Sequence, residues 1–371
     1  MLVGIDASRA VRLFRTGTEW YSVHLIAALL GRPAANRYRL YFDRAPGKLF
    51  SRESDAEQRI IPLQRGWTHL RLSAEVVTRP PDLLFVPSHV IPAICPVPAV
   101  VTIHDVGYLW HRDAYRPLDW LLLHLGTLWN ARKARRIIAD SQATARDLTN
   151  HFGVAPERLR VAYLGGPRVE DVPPQPEILA RYGLPPHYFL FVGTLQLRKN
   201  VARLIRAFAQ VAHQDPDVVL ALGGKLGPRA GALHELIGQL GLSNRVRWLG
   251  YLPDADRPSL YAGAAAFVFP SLYEGFGIPV LEAMAWGAPV IASNTSSLPE
   301  VVGDAGLLVD PYDIDGLAQA MAEVLTDSRL RERLLVAGRR RAATFSWDRC
   351  ASEVEAAFAD ALGTGVAVKE G

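Results

Sequence analysis

The feature that most constrains the fold is the alternation, along nearly the whole chain, of short apolar runs with segments of helical periodicity. The runs have the length and unbroken apolarity of strands buried in a parallel sheet covered by helices. A first series of runs covers residues 2–6, 39–42, 83–86, 100–104 and 136–139. A second series covers residues 188–192, 218–222, 245–249, 266–269, 290–292 and 307–309. The sequence therefore predicts two α/β units, each built like a Rossmann domain.

The region between the two series, residues 165–186, is rich in proline and glycine. Such a composition is typical of a linker between domains. At 371 residues the chain is also longer than one hydrophobic core usually supports. We expect a first domain over residues 1–170 and a second over residues 171–345. From Ser346 to Leu362 apolar residues recur at helical spacing, which predicts a helix with one buried face.

Composition and charge exclude several classes of function. The two cysteines, Cys95 and Cys350, are far apart and form no metal-ligand pattern or disulfide framework. The formal net charge of +4 is small for this length, and no zinc-finger spacing or long basic arm accompanies it. We expect no nucleic-acid partner. The first residues do not resemble a secretion signal, and no window of about 18 residues is apolar throughout, so we expect a cytoplasmic protein.

The run Glu274-Gly-Phe-Gly-Ile-Pro-Val-Leu-Glu282 is the strongest motif, because it follows the 266–269 strand and opens a helix. Gly275 and Gly277 let the backbone bend and approach a ligand, while the helix start presents free N–H groups. Glu274 and Glu282 can accept hydrogen bonds from the vicinal hydroxyls of a sugar or a ribose. The alternative is an ordinary acidic first turn, which the helix dipole favours by itself.

This run resembles the acid, seven residues, acid signature of the retaining glycosyltransferases of family 4, the group 1 glycosyltransferases, and the likeness extends over essentially the whole chain. The resemblance implies a GT-B fold, with two Rossmann-like domains facing a central cleft. It implies that Glu274 lies beside the transferred sugar and that Glu282 holds the nucleotide ribose. It also implies that the sugar hydroxyls bind the backbone amides of Gly275, Phe276 and Gly277.

Two cations, Arg198 and Lys199, follow the 188–192 strand and precede a helix from Val201. A helix dipole favours anions at its N-terminus, so a bound anion would resolve the conflict. The resemblance implies that both cations hold the diphosphate. Thr194 stands where many relatives carry an arginine, which leaves open whether Arg198 takes over that role. The alternative is a solvated surface pair.

Two residues of the first domain join the predicted site. Gly17 lies in the segment 15–20, which resembles the family's glycine loop near the phosphates and the acceptor, although an ordinary turn would also explain one glycine. His104 ends the 100–104 run, at the sheet edge where such folds bind ligands. The resemblance implies that His104 contacts the donor sugar; the alternative is a structural histidine. It also implies that the segment 346–371 packs back on the first domain.

Metal and cofactor are not expected. The pairs Asp254/Asp256 and Asp313/Asp315 have the spacing of a metal-binding Asp-x-Asp motif, but each precedes a helix, where acids cap or favour the dipole. Arg198, Lys199 and the helix N-termini would neutralise the leaving diphosphate instead.

The resemblance implies transfer of a hexose, with retention, from a nucleotide diphosphate sugar to a glycan or lipid-linked acceptor. The loop 198–200 resembles that of mannosyltransferases, which favours GDP-mannose, with a UDP-sugar as the alternative. We expect acceptor specificity in loops such as 46–67. Residues 117–136 combine leucines and tryptophans with a basic end, which favours a core helix; the alternative is a peripheral contact with the inner face of an anionic membrane.

Two other functions remain open. A non-catalytic nucleotide-sugar-binding or partner protein could keep the same fold and motifs. A dehydrogenase is disfavoured because the first strand is followed by Asp6-Ala-Ser-Arg-Ala-Val and not by Gly-x-Gly-x-x-Gly.

Overall fold

The computed structural model describes residues 1–12, 17–33, 36–47, 49–50, 56–112, 115–227 and 230–363. The chain forms two compact units. The N-terminal unit comprises Met1–Gly165 together with Ser346–Gly371, and the C-terminal unit comprises Gly166–Phe345. The sequence places this boundary at residue 170, whereas the structure has it after Gly165.

The N-terminal unit contains one sheet of seven strands in the order β3-β2-β1-β4-β5-β6-β7, all parallel to their neighbours. The strands are β1 (Leu2–Asp6), β2 (Arg37–Phe42), β3 (Glu57–Ile60), β4 (Leu83–Val86), β5 (Ala99–Ile103), β6 (Arg136–Ala139) and β7 (Leu159–Val161). Its first helices are α1 (Gly17–Gly31), α2 (Ser73–Thr78), α3 (Pro117–Lys133) and α4 (Gln142–Phe152). A π-helical turn, Trp67–Leu72, leads into α2, and short 3₁₀ turns cover Gly107–Leu109 and Pro156–Arg158.

Strand burial explains which strands the sequence analysis found. The central strands β4 and β5 are buried at every residue and appear in the sequence as apolar runs. The edge strands β3 and β7 are missing from the predicted series. Their sequences, Glu-Gln-Arg-Ile and Leu-Arg-Val, have no apolar run because an edge strand of this sheet is only partly covered.

The C-terminal unit contains a second all-parallel sheet of six strands in the order β10-β9-β8-β11-β12-β13. The strands are β8 (Tyr188–Val192), β9 (Val219–Gly223), β10 (Val246–Gly250), β11 (Ala266–Phe269), β12 (Val290–Ser293) and β13 (Leu307–Val309). The helices are α5 (Pro176–Arg181), α6 (Val201–Gln214), α7 (Ala230–Gln239), α8 (Arg257–Ala262), α9 (Ile278–Ala285), α10 (Leu298–Val302), α11 (Ile314–Thr326) and α12 (Ser328–Ala342). A 3₁₀ turn covers Leu197–Lys199.

The predicted linker over residues 165–186 is wrong for most of its length. This stretch holds helix α5, and its residues from Gly166 onward belong to the C-terminal unit. Pro176 is the first residue of α5, a position where the missing N–H of proline costs nothing. Ile178 and Leu184 are buried. Proline content therefore marked a helix start here, not a flexible connection.

The chain returns to the N-terminal unit as helix α13 (Trp347–Leu362). Ser346 caps it, since its hydroxyl accepts the N–H of Arg349 at 3.2 Å. The buried face of α13 packs on α1 and on strands β5, β6 and β7. The ring of Phe358 lies 5.2 Å from that of Phe85 in β4. Residues 364–371 of the predicted segment lie outside the described residues.

The two points at which the chain passes between the units are tightly built. A β-carbon on Gly165 would lie 2.4 Å from the backbone nitrogen of Trp347, so only glycine allows this approach within the N-terminal unit. Within the C-terminal unit, the N–H of Gly166 donates to the carbonyl of Phe345 at 3.4 Å. The outgoing and returning segments are therefore adjacent.

Candidate active site

In the C-terminal unit the strand order reverses between β8 and β11, which we call the switch point of that sheet. Loops that leave the carboxyl ends of strands at a switch point form the usual ligand site of parallel α/β sheets. Here these are loop 193–200 after β8 and loop 270–277 after β11. The N–H of Leu272 donates to the carbonyl of Arg198 at 2.8 Å, so the two loops are joined directly. The two predicted motifs are thus spatial neighbours.

Two residues with positive φ shape these loops. Asn200 has φ 60°, and its side-chain amide donates to the carbonyls of Pro270 at 3.0 Å and Pro311 at 2.7 Å. Gly277 has φ 109°, and a β-carbon there would lie 2.8 Å from Leu298 Cδ2. Both the backbone conformation and the available space therefore require glycine at position 277.

Arg198, Lys199 and Glu274 form a cation–carboxylate cluster at this point. Lys199 Nζ donates to Glu274 Oε1 at 2.5 Å, and Arg198 Nη1 donates to Glu274 Oε2 at 3.1 Å. Arg198 Nη1 also donates to the carbonyl of Tyr273 at 2.9 Å. Glu274 is 6% exposed and Lys199 is 8% exposed. The predicted sugar-binding acid and the predicted phosphate-binding cations are therefore in direct contact.

The charges of this cluster set the ionisation of Glu274. Burial alone would raise the pKa of Glu274, but Lys199 and Arg198 outweigh burial and lower the pKa from 4.5 to about 2. Lys199 Nζ also lies 4.8 Å from the centre of the Phe269 ring, which favours the charged ammonium. Glu274 is therefore an ionised hydrogen-bond acceptor at neutral pH.

The backbone around Glu274 is held by two serines that the sequence analysis missed. The N–H of Glu274 donates to Ser296 Oγ at 3.0 Å. The hydroxyl of Ser297 donates to the carbonyls of Glu274 and Phe276, both at 2.9 Å. These serines follow β12, the strand next to β11. The rule that ligand sites lie at the carboxyl ends of strands would have pointed to them.

Glu282 makes a different set of contacts. It lies on α9, is 7% exposed, and forms an ion pair with Arg257 of α8. Its second oxygen accepts the hydroxyl of Tyr261, also on α8, at 3.1 Å. The guanidinium of Arg257 lies 5.8 Å from the ring centre of Trp286. The predicted ribose-binding acid is therefore already engaged by two side chains, neither of which sequence reasoning identified.

The sequence predicted that the first Asp-x-Asp pair caps a helix, and the structure shows that it does not. Asp254 pairs with Arg257 at 3.1 Å. Asp256 precedes α8, but its side chain makes no capping bond. It accepts instead from Arg181 at 3.1 Å and from the hydroxyl of Tyr182 at 2.8 Å. The prediction failed because nearby arginines compete with the backbone for these carboxylates.

The two acids of the second Asp-x-Asp pair make different contacts. Asp313 caps α11, since its side chain accepts the N–H of Gly316 at 2.9 Å, as the sequence predicted. Asp315 accepts from the side chain of Gln210 at 2.8 Å. Among the residues that the structure describes, no three His, Cys, Asp or Glu side chains converge as the ligands of a metal ion.

In the N-terminal unit, His104 lies directly after β5 and Asp140 directly after the neighbouring strand β6. The register of these strands pairs Ile103 with Ala139, so the two side chains emerge next to each other. His104 Nδ1 lies 2.7 Å from Asp140 Oδ2, and Nε2 lies 3.0 Å from the carbonyl oxygen of Pro87. Sequence reasoning missed Asp140, although it ends a strand that had been identified.

The surroundings of His104 favour its charged form. Both ring nitrogens face hydrogen-bond acceptors, and only the imidazolium has two N–H donors. Burial alone would lower the pKa of His104, but the charge of Asp140 outweighs burial and raises the pKa above its ordinary 6.5. The ring of Tyr21 packs edge-on at 4.7 Å. His104 is therefore held rigidly at the carboxyl end of its sheet.

The start of α1 lies beside His104. Ser88 Oγ lies 3.4 Å from His104 Nε2 and donates to the carbonyl of Thr18 at 3.1 Å. Gly17 is the first residue of α1, so the structure brings it to the same edge as His104. Residues 13–16 of the predicted glycine loop, including Arg15, lie outside the described residues, as do residues 48 and 51–55 of the predicted acceptor loop.

The strand order of this sheet reverses between β1 and β4, and a further cluster follows these two strands. Arg9 Nε donates to His89 Nε2 at 2.8 Å, and Arg9 also pairs with Glu19 at 3.3 Å. Burial, followed by the charges of Arg9 and Arg12, lowers the pKa of His89 from 6.5 to about 4. His89 is therefore neutral at pH 7 and accepts from Arg9. Their positions after strands are the signal that could have found both residues.

Comparison with known proteins gives matches in both units. The family described as Glycosyltransferase Family 4 matches residues 17–165, and the family described as Glycosyl transferases group 1 matches residues 175–341. The Escherichia coli protein O-antigen chain mannosyltransferase B is 34% identical over 267 residues, which cover 70% of this chain and 70% of that protein. The chain belongs to the group 1 glycosyltransferases.

The glycosyltransferase also resembles the MMP alpha-(1->4)-mannosyltransferase of Mycolicibacterium hassiacum, at 37% identity over 237 residues, or 62% of this chain and 56% of that protein. Among solved structures, Anabaena HepE in complex with UDP and glucose superimposes with a TM-score of 0.75 at 21% identity, covering 96% of this chain and 99% of that chain. The predicted GT-B fold class and family are confirmed.

The roles of individual side chains in this glycosyltransferase stay predictions. The structure shows their positions, and the family shows that the chain is a sugar transferase. Among the described helices, none has the length and hydrophobicity needed to cross a bilayer.

Proposed function

We propose that this glycosyltransferase moves a mannosyl residue from a nucleotide diphosphate sugar to a glycan or lipid-linked acceptor in polysaccharide synthesis. The observation that carries the proposal is the cation–carboxylate cluster at the switch point of the C-terminal sheet. Two relatives that are named as mannosyltransferases support the choice of sugar.

The charge of the cluster suits an anionic leaving group. Arg198 and Lys199 both pair with the carboxylate of Glu274, so two cations meet at one carboxylate. A guanidinium has five N–H donors and can bind a carboxylate and a phosphate at once. In our proposal a donor diphosphate draws Arg198 and Lys199 toward its oxygens. Glu274 then turns from a partner of cations into an acceptor for sugar hydroxyls.

The low pKa of Glu274 decides which chemistry it can perform. In the structure Lys199 and Arg198 hold the pKa of Glu274 at about 2, and even the ordinary value of 4.5 lies far below neutral pH, so Glu274 is a weak base toward an acceptor hydroxyl. We therefore assign Glu274 to binding and orientation, and we assign deprotonation of the acceptor to the leaving phosphate. This division accords with attack from the face of the leaving group, which retains the anomeric configuration.

The donor would be held at the start of α9 and by a side chain within that helix. Sugar hydroxyls would bind the amides of Gly275, Phe276 and Gly277, and ribose hydroxyls would bind Glu282. The ribose must then share Glu282 with Arg257 and Tyr261. We favour GDP as the nucleotide, with UDP as the alternative because the structural neighbour HepE holds UDP. Arg198 and Lys199 take the place that a metal ion would fill, so the reaction needs none.

His104 can contact the donor sugar only if one of its present hydrogen bonds changes. Its Nδ1 is bound by Asp140 and its Nε2 faces the carbonyl of Pro87. A sugar hydroxyl can bind Nε2 only by sharing or replacing that carbonyl. Gly17 would contribute through the start of α1.

The test begins with ligand-induced changes in melting temperature of the purified chain, because a ligand that binds only the folded state must raise it. GDP, UDP, ADP and their sugar conjugates are compared in the presence of EDTA. We expect GDP and GDP-mannose to raise the melting temperature most. A larger shift with UDP would transfer the proposal to UDP-sugars.

Transfer is then measured with the selected donor and a panel of glycan and polyprenyl-linked acceptors. We expect a mannosylated product with the donor's anomeric configuration, identified by NMR, and an equal rate with EDTA or with magnesium. Binding without turnover would support the non-catalytic alternative. Loss of activity in EDTA that magnesium restores would show that the metal-independent mechanism is wrong.

A further inference from the structure

Helix α3 of the N-terminal unit presents leucines to solvent. Nineteen large apolar side chains are exposed in the part of the chain that the structure describes, and five of them fall within residues 118–125. They are Leu118 at 65%, Leu121 at 44%, Leu122 at 59%, Leu123 at 43% and Leu125 at 51% exposure. The sequence favoured a core helix, and that expectation is wrong for this face of α3. Such a concentration marks a binding surface.

Four of these residues, Leu118, Leu121, Leu122 and Leu125, recur at intervals of one to four residues along one side of the helix, and we call them the leucine face. The opposite side anchors α3 to its domain. Trp120 Nε1 donates to the carbonyl of Tyr108 at 3.0 Å, and Thr127 and Ala131 are buried. The leucine face is therefore not a loosened part of the core, because the helix has its own buried side.

Basic residues gather at the C-terminal end of the leucine face. Arg132 and Lys133 lie in the last turn of α3 and Arg135 follows it, whereas the segment before the helix mixes Arg112 and Arg116 with Asp113. The guanidinium of Arg112 lies 4.6 Å from the ring centre of Trp120, and Lys133 Nζ lies 5.1 Å from that of Trp129. Asp119 is the one acid within Pro117–Lys133. Positive charge thus borders the apolar stripe at its C-terminal end.

A cavity lined mostly by apolar side chains adjoins the C-terminal end of α3. It has a volume of about 250 Å³ and is lined by the loop 91–97 together with Trp129 and Lys133. Ile94 in this loop is 63% exposed. The apolar surface therefore continues past the helix and remains next to the basic end.

We propose that the leucine face binds the surface of an anionic membrane. In this arrangement the leucines enter the boundary between headgroups and acyl chains, and the flanking arginines and lysine bind lipid phosphates. A second copy of the chain fits less well. In a twofold pairing the same face meets itself, and Asp119 is the one acid of α3 that could answer Arg132, Lys133 and Arg135.

The test is co-sedimentation of the full chain with lipid vesicles, which needs no sugar donor and so is separate from the proposed transfer reaction. Vesicles of pure phosphatidylcholine are compared with an equimolar mixture of phosphatidylcholine and phosphatidylglycerol. We expect binding to the anionic vesicles only, and we expect it to weaken with added salt.

Matched variants locate the binding surface. Leu125→Glu should weaken vesicle binding about tenfold or more, whereas Val336→Glu on α12, also 51% exposed, should leave it unchanged. Arg132→Gln should weaken it about fivefold, against no change for the exposed Arg333→Gln. Thermal unfolding shows whether each variant remains folded, which we expect because these side chains are exposed.

Three results would overturn the proposal. The wild-type chain could fail to bind anionic vesicles. It could bind them as tightly after Leu125→Glu as before, which would place the contact elsewhere. Analytical ultracentrifugation could show a dimer that Leu125→Glu dissociates, without vesicle binding, which would identify a second copy as the occupant.

Discussion

Both units place charged side chains at the carboxyl ends of their strands, but the two sets are balanced differently. In the C-terminal unit, two cations face one carboxylate, and residues with positive φ fix their loops. In the N-terminal unit Arg9 and His104 each face one carboxylate, that of Glu19 and that of Asp140. Two cations that meet at one carboxylate suit a diphosphate, whereas single pairs suit a ligand that offers hydroxyls. The comparison predicts that charge changes in the two units alter different steps.

The largest effect is expected from Glu274→Gln. Transfer should fall on the order of a thousandfold, because the sugar loses its charged acceptor in a buried site. The change also leaves Lys199 and Arg198 without their carboxylate, which should cost about 3 kcal/mol of folding stability. Initial rates at saturating donor and thermal unfolding measure the two effects separately. The exposed Glu332→Gln on α12 serves as the control. An active Glu274→Gln enzyme would show that the cluster has only a structural role.

A smaller effect is expected from Lys199→Met, which removes the charge and keeps the length of the side chain. The affinity for nucleoside diphosphate should fall roughly tenfold to a hundredfold, since a charge-assisted hydrogen bond is lost. Calorimetry of GDP binding tests this. The control is Arg206→Met at an exposed position of α6, which removes the same charge. Equal affinities of both variants would show that the cluster does not bind the diphosphate.

The smallest effect on donor binding is expected from Asp140→Asn in the N-terminal unit. Without the carboxylate, burial dominates and the pKa of His104 should fall below its wild-type value. In the wild type the folded pKa exceeds the unfolded 6.5, so the pairing stabilises the protein at acidic pH and this contribution is lost as pH rises through the folded pKa.

NMR titration of the His104 ring, assigned with His104→Gln, measures the change. We expect donor affinity to stay the same and the transfer rate to fall about tenfold. An unchanged pKa would mean that Asp140 does not hold the proton on His104. A loss of donor affinity equal to that of Lys199→Met would remove the difference between the two units.

The fold class could be predicted because central strands are buried on both faces and therefore read as continuous apolar runs. The failures lie at the periphery. Strands β3 and β7 are half covered and carry charges, so no run marks them. The prolines before β8 were interpreted as a linker, although Pro176 starts a helix whose burial depends on tertiary contacts.

The candidate site was predictable residue by residue but not as a set of contacts. Glu274 and Lys199 stood out because each follows a strand and opens a helix. Their contact depends on β8 lying beside β11, an order that the local sequence does not contain. For the same reason the partners Asp140 and Arg257 were missed, since each is recognised only through the residue that it touches.

The return of the chain as α13 has a consequence for the order in which the protein is made. The C-terminal unit ends at Phe345, whereas the N-terminal unit requires Trp347–Leu362 to cover strands β5, β6 and β7. All of the inserted unit is therefore synthesised while these three strands still lack the helix that packs on them. Domains usually fold in the order of their synthesis. Here the unit that is encoded second is the first to be complete.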